Sequence, residues 1–151
     1  MVTETIEDYL KAILKIETRK GYAQVKDVAE HLKVKPPSVT EMFRRLDQFG
    51  LINYERYGGA TLTAKGRHIA SMVRERHRMI KRLFVMLGVD EDTADIDACK
   101  VEHALSDETV SRLSKFVDFV HEAEERADWL EEFDRYCEAS GSNEGDHSAD
   151  E

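Results

Sequence analysis

The sequence predicts a mainly α chain in which a winged helix-turn-helix domain with a small β-hairpin wing precedes an all-helical half. Three observations predict it. Two short helical segments are joined by the bridge Lys33-Val34-Lys35. Two β-forming runs flank Tyr57-Gly58-Gly59. From Thr63 onward the apolar residues follow helical spacing only.

Taken in order, Thr5 caps a first helix whose Ile6, Leu10, Ile13 and Leu14 share a face, and Lys20-Gly21 closes it. A second helix runs from Val25 to Leu32, with Val28 and Leu32 inward. The third runs from Pro36 to Phe49; its Val39, Met42, Leu46 and Phe49 are spaced for one face, and Gly50 supplies the permissive C-cap. Leu51 to Arg56 and Ala60 to Thr63 form the hairpin, with Arg56 and Tyr57 at the tip of the wing. A long helix then extends from Thr63 to about Met86, ended by Gly88. Further helices cover roughly Glu91 to Leu105, Ser106 to about Val120, and the acidic stretch Glu122 to Glu138. From Ser140 the only apolar residue is Ala149, which predicts a disordered tail. The expected domains are residues 1–63, 64–138 and an acidic tail at 139–151.

A chain of 151 residues is long enough for a buried core. Its longest apolar run, Leu83 to Leu87, is far short of the ~20 residues of a membrane helix. Glu4, Glu7 and Asp8 replace the basic start of a secretion signal. Cys99 and Cys137 make no CxxC pair, so a reducing compartment, the cytoplasm, is expected. The net charge is −9, but it is unevenly spread. Lys33 to Arg82 holds 12 Lys and Arg against 4 Asp and Glu, +8 against −17 for the remainder. A local basic field is what meets a phosphate backbone, so the asymmetry predicts a nucleic-acid module joined to an acidic one.

In a helix-turn-helix the N-terminal residues of the second helix meet base edges and phosphates in the major groove. Here that end reads Lys35-Pro36-Pro37-Ser38-Val39-Thr40-Glu41. Proline is tolerated in a first turn, and the Pro37 ring can pack on a thymine methyl. Ser38 and Thr40 can donate to phosphate oxygens, and Lys35 adds charge. Glu41 either accepts from a cytosine amine or only complements the helix dipole; Arg44 and Arg45 either reach phosphates and purines or face solvent.

Cys99, Glu102 and His103 stand at i, i+3 and i+4, which puts them on one face of a helix. Thiolate, carboxylate and imidazole make a set of mixed softness suited to Fe²⁺, Co²⁺, Ni²⁺ or Zn²⁺ and less selective for Mn²⁺ than oxygens alone. The bland alternative is a small buried cysteine beside a surface Glu-His pair.

The ordered segments IEDYLKAI, VAEHLKVKPPSVTEMFRRLDQFGLI, LTAKGRHIA, RHRMIKRL and ACKVEHALSDE resemble the family of the diphtheria toxin repressor and the manganese transport regulator, over approximately residues 1–138. The resemblance implies a winged DNA-binding domain, a helical dimerisation domain, and a divalent metal cofactor, Fe²⁺ or Mn²⁺, with Zn²⁺, Co²⁺ or Ni²⁺ as surrogates. It implies that Cys99, Glu102 and His103 are primary ligands, that Asp8 on the first helix couples metal to the DNA-binding domain, and that His77 matches a second-site histidine. Asp8 otherwise serves as the capping partner of Thr5, and His77, between Arg76 and Arg78, otherwise belongs to a phosphate-facing surface.

Departures from the family pattern are specific. Cysteine at 99 is iron-like and aspartate at 8 is manganese-like, while Lys11 and Lys81 replace acidic residues. Asp95, one turn before Cys99, either substitutes for a missing ligand or caps its helix. The implied function is a metal-dependent repressor of iron or manganese uptake genes, a homodimer on a palindromic double-stranded operator, with no membrane partner. The rival is a winged-helix regulator without metal activation, sensing redox through Cys99. No nucleophile-base arrangement or phosphate loop stands in the sequence, so no enzyme is expected.

Overall fold

The computed structural model describes residues 2–123 and 127–141. It divides into two compact units, Met1–Glu75 and Arg76–Glu151, with the division inside one long helix.

The first unit contains α1 (Glu4–Lys20), α2 (Val25–Leu32), α3 (Pro36–Gln48), β1 (Ile52–Glu55), β2 (Gly59–Leu62) and the start of α4 (Ala64–Met86). Thr3, not Thr5, is the N-cap of α1: its hydroxyl accepts from the Ile6 amide at 3.4 Å. Asp8 therefore lies beyond the cap and is not part of a capping box. Gly21 at φ 88° closes the helix, and its amide reaches the Glu17 carbonyl. The strands pair antiparallel in the register Ile52 with Leu62 and Glu55 with Gly59, one residue shorter at each outer end than expected. Ala23 adds a bridge to Ala60, with reciprocal amide bonds of 2.9 and 2.8 Å.

Leu10, Ile13, Val28, Val39, Phe43, Leu46 and Ile52 fill the core of this unit. The buried face of α3 is thus Val39, Phe43 and Leu46. Phe49, expected inward, is 47% exposed, whereas Phe43 meets Tyr54 of the wing edge to face at 5.2 Å. Both sets fit helical spacing; the wing decides between them because its Tyr54 ring needs an apolar partner. Glu17 anchors the hairpin, accepting from the Leu62 amide at 3.0 Å and from Arg67 of α4. At the entry to α4, Thr63 donates to the Gly50 carbonyl at 2.7 Å and accepts from the Gly66 amide at 3.1 Å.

The second unit holds the rest of α4, α5 (Glu91–Val101), α6 (Asp107–Glu122) and α7 (Ala127–Gly141). Met79, Ile80, Ala98 and Val117 make its core, flanked by Leu83, Phe84, Leu105, Val110 and Leu113. Asp90 and Ser106 cap α5 and α6 through the Thr93 and Thr109 amides. Helix α5 stops at Val101, short of the expected Leu105. Glu102 is its C-cap, and a tightened turn follows in which the Ala104 amide bonds the Val101 carbonyl at 2.9 Å. Of the acidic helix expected over Glu122 to Glu138, Glu122 ends α6, residues 124–126 lie outside the described residues, and α7 covers it from Ala127 on and takes in Ser140 and Gly141; the rest of the expected tail lies outside the described residues.

Candidate metal centre and DNA-facing surface

Each metal-ligating side chain of the second unit is placed by local backbone. His77 projects from α4, Cys99 from the last full turn of α5, and Glu102 from its C-cap, where helical dihedrals (φ −55°, ψ −29°) preserve the i, i+3 neighbourhood with Cys99. His103 is outside the helix, in the turn, so the trio expected on one helix face is split between a helix and its exit.

The ligand atoms converge. His77 Nδ1 is 2.8 Å from Glu102 Oε2 and 3.7 Å from Cys99 Sγ, and one atom from each of the three residues lies within 4.8 Å of the others. His77, which matches a second-site histidine by resemblance, lies in this group with Cys99 and Glu102. Glu102 is wholly buried, and its other oxygen, Oε1, is 3.2 Å from His103 Nε2. Its carboxylate thus stands between two imidazoles. Cys99 is exposed and in no disulfide.

Around this cluster, Arg76 donates to the Glu102 carbonyl at 3.1 Å and approaches Asp107 at 3.5 Å. It steadies the turn that carries Glu102 and His103. Asp95, on the opposite edge of the His77 ring, is 3.0 Å from Nε2, and Lys81 lies 3.5 Å from the same carboxylate oxygen and 3.4 Å from Glu91. The His77 hydrogen bond, against some desolvation and with the charges of His77 and Lys81, holds the Asp95 carboxyl below its usual range.

A buried carboxylate is costly unless it is paired with charge or coordinates a metal. Here it faces imidazole nitrogen on both oxygens, beside a thiol. Nitrogen, sulfur and oxygen donors at this spacing fit a divalent transition metal of the iron-to-zinc series. His77, Cys99 and Glu102 are the residues that would hold it, with His103 on the far oxygen of Glu102. Asp8 stands in α1, in the first unit, one turn after Glu4.

On the first unit, Lys35, Pro37, Ser38, Glu41, Arg44 and Arg45 are exposed along α3, and Pro36 and Pro37 occupy its first turn. Thr40 is half-buried, and its hydroxyl donates to the Pro36 carbonyl at 3.2 Å, so a phosphate contact by this hydroxyl requires it to turn away. At the wing, Tyr57 is 89% exposed and Arg56 lies over its ring at 5.6 Å. Lys26 and Gln24, not singled out from sequence, line a recess of about 290 Å³ with Arg56 and Tyr57.

Residues 1–60 match the iron dependent repressor N-terminal DNA binding domain, and residues 63–131 match the metal binding and dimerisation domain of the same proteins. The chain belongs to the iron-dependent repressor family. It is 39% identical over 127 residues to the HTH-type transcriptional regulator MntR of Bacillus pumilus, covering 84% of this chain and 88% of that one. Among solved structures it is similar to T. acidophilum IdeR, with 30% identity and a TM-score of 0.67 over 76% of this chain. It is also similar to a manganese-dependent transcriptional repressor in complex with manganese, with 32% identity and a TM-score of 0.65 over 76% of this chain. The chain spans about half the length of these two structures, 54% and 53%. Iron-dependent repressors are transcription regulators and not enzymes, and this member carries both their DNA-binding and their metal-binding and dimerisation parts. Among the described residues no helix is long and apolar enough to cross a membrane.

Proposed function

We propose that this chain represses metal-uptake genes in the cytoplasm, as a homodimer on a palindromic operator, when Fe²⁺ or Mn²⁺ is abundant. The observation that carries the reading is the convergence of His77, Cys99 and buried Glu102 within 4.8 Å in a member of this family. A bound ion supplies fixed positive charge, and with it a reason for ligands on separate elements to adopt one arrangement. Asp8 is the residue we assign to that coupling, on the resemblance of its position, and His103 is its companion ligand. An ion favours the DNA-competent arrangement only by binding it more tightly than the alternative. Two recognition helices in a symmetric dimer then require half-sites separated by whole helical turns.

The DNA contacts assigned are Lys35, Pro37, Ser38 and Thr40 at the N-terminus of α3, Glu41, Arg44 and Arg45 along it, and Arg56 and Tyr57 on the wing. Operator affinity titrated separately with anaerobic Fe²⁺, with Mn²⁺ and with Zn²⁺, and with bound metal counted, tests the reading. Metal-independent affinity that is lost on thiol oxidation would replace it with a redox regulator acting through exposed Cys99.

A further inference from the structure

We propose that Asp95 is the positioning residue of the metal centre: it holds the far nitrogen of His77 so that Nδ1 is presented to the ion, and Lys81 in turn holds Asp95. The inference rests on the metal-activated reading above. Imidazole is an ambident ligand, and which nitrogen meets a metal is set by the hydrogen bond the other one makes. In this chain the two edges of the His77 ring have separate partners. Glu102 Oε2 and Cys99 Sγ lie at Nδ1, at 2.8 and 3.7 Å, whereas Asp95 Oδ1 lies at Nε2, at 3.0 Å.

The two ring nitrogens point away from each other. An ion at Nδ1 beside Cys99 and Glu102 is therefore on the side of the ring that Asp95 does not reach. Asp95 acts as an acceptor behind a ligand and not as a ligand itself. A carboxylate accepting from Nε2–H fixes the tautomer with the lone pair on Nδ1 and stops rotation of the ring.

Lys81 completes the chain of contacts. Its ammonium lies 3.5 Å from Asp95 and 3.4 Å from Glu91, beside a recess lined by Asp92 and Ile96 as well. The cation keeps the exposed Asp95 carboxylate in the rotamer that meets His77. It also places a positive charge on this acidic surface, where a second divalent ion would otherwise be attracted.

Removing an outer partner of a ligating histidine costs about 10- to 100-fold in metal affinity. The Asp95 side chain is half exposed, at 52%, so water replaces part of its hydrogen bond and the lower end, about tenfold, is expected. The test uses the full-length dimer with Zn²⁺ or Co²⁺ as the probe ion. Zn²⁺ affinity is measured by chelator competition for wild type, Asp95→Ala, Asp95→Asn and Lys81→Met, and the ¹⁵N resonances of His77 are recorded in the Zn²⁺ form.

Expected are a wild type with Nδ1 metallated and a slowly exchanging Nε2–H, a loss of about tenfold in Asp95→Ala, and near-complete rescue in Asp95→Asn, whose amide oxygen still accepts. Lys81→Met should fall between wild type and Asp95→Ala. Equal large losses in Asp95→Ala and Asp95→Asn, with a changed Co²⁺ ligand-field spectrum, would make Asp95 a direct ligand and overturn the proposal. Unchanged affinity and unchanged His77 resonances in Asp95→Ala would overturn it while leaving metal activation intact. A wild type that binds no Zn²⁺ or Co²⁺ at His77 would overturn the metal-activated reading and this proposal with it.

Discussion

Glu102 Oε2 lies 2.8 Å from His77 Nδ1 although 25 residues separate them in the chain, and the carboxylate is wholly buried. Burial makes this residue the most sensitive in the centre. Glu102→Gln keeps the volume but removes the charge that pairs with a cation, so metal affinity should fall by at least about tenfold with the fold retained. Glu102→Ala also leaves His77 and His103 facing a void and should cost about 2 kcal/mol or more of stability. Calorimetric metal titration beside thermal unfolding separates the two effects. Wild-type affinity in Glu102→Gln would remove it from the ligand set.

Recognition divides between Thr40 and Glu41. Thr40 is half-buried and its hydroxyl donates to the Pro36 carbonyl, at the first turn of α3, while Glu41 is exposed. Thr40→Ala should weaken binding to every sequence, because phosphate contacts position the helix without reading bases. Glu41→Gln should change the preference among operator variants by about 1–3 kcal/mol at one base pair. Gel-shift titrations on an operator library and on random DNA check both; a uniform change in the Glu41 variant would assign that residue to the helix alone.

The local pattern of the chain was readable because it is short-range: caps, turns, helix spacing and the glycine-flanked hairpin all sit within a few residues of one another. Where the structure departs from that local pattern, partners distant in sequence decide. Phe43 and Phe49 both suit an inward face of α3, and only packing of Tyr54 onto Phe43 distinguishes them. Glu102 and His103 look helical by spacing, yet α5 ends at Val101, with Arg76 of α4 holding the Glu102 carbonyl. The grouping of His77 with Cys99 and Glu102 has no local signal at all. Resemblance points to these residues and to the loss of an acidic side chain at Lys81, but not to the way Asp95 and Glu91 gather on that cation.

Gly66 sits where α4 passes the backbone of Leu51. A Cβ there would lie 1.9 Å from the Leu51 carbonyl oxygen, and no rotamer change relieves a clash with backbone. Gly to Ala in a helix normally gains about 0.4–1 kcal/mol, whereas forced displacement in a packed region costs about 1–3 kcal/mol or more. The clash should win, so Gly66→Ala should lower stability by about 2 kcal/mol and reduce operator affinity by disturbing the hairpin next to it. Calorimetry would show the reverse sign if the helix can shift freely.

His31 gives the first unit a pH response. Desolvation first, then the charges of Lys15, Lys11 and Arg19 on α1, pull its pKa below 6.5; Asp27 and Glu30 line the same recess. The unfolded chain therefore binds a proton that the folded unit resists. The stabilisation is present above pH 6.5 and is lost as pH falls toward the folded pKa. His31→Gln should flatten the denaturation midpoint across that window and leave it unchanged at pH 8. An equally steep profile in the variant would assign the response to other groups.

Cys99→Glu should shift metal preference toward Mn²⁺ without abolishing repression. The Cys99 thiolate is the one soft donor in a set that otherwise offers the His77 and His103 nitrogens and the Glu102 carboxylate. A carboxylate in its place matches the oxygen-rich chemistry that Mn²⁺ favours. Cys99 is exposed, so the longer side chain has room to extend into solvent before turning to the ion. The nearby cations are the hazard: Lys81 already collects Asp95 and Glu91, and a third carboxylate on the same face can be drawn to it. Combining Cys99→Glu with Lys81→Met removes that competition. The measurement is the ratio of Fe²⁺ to Mn²⁺ concentrations giving half-maximal operator binding, in wild type and both variants under anaerobic conditions. A ratio that rises in the single variant and rises further in the double one supports a selectivity set by the donor at position 99. A ratio that stays fixed in both would show that Cys99 does not choose the metal.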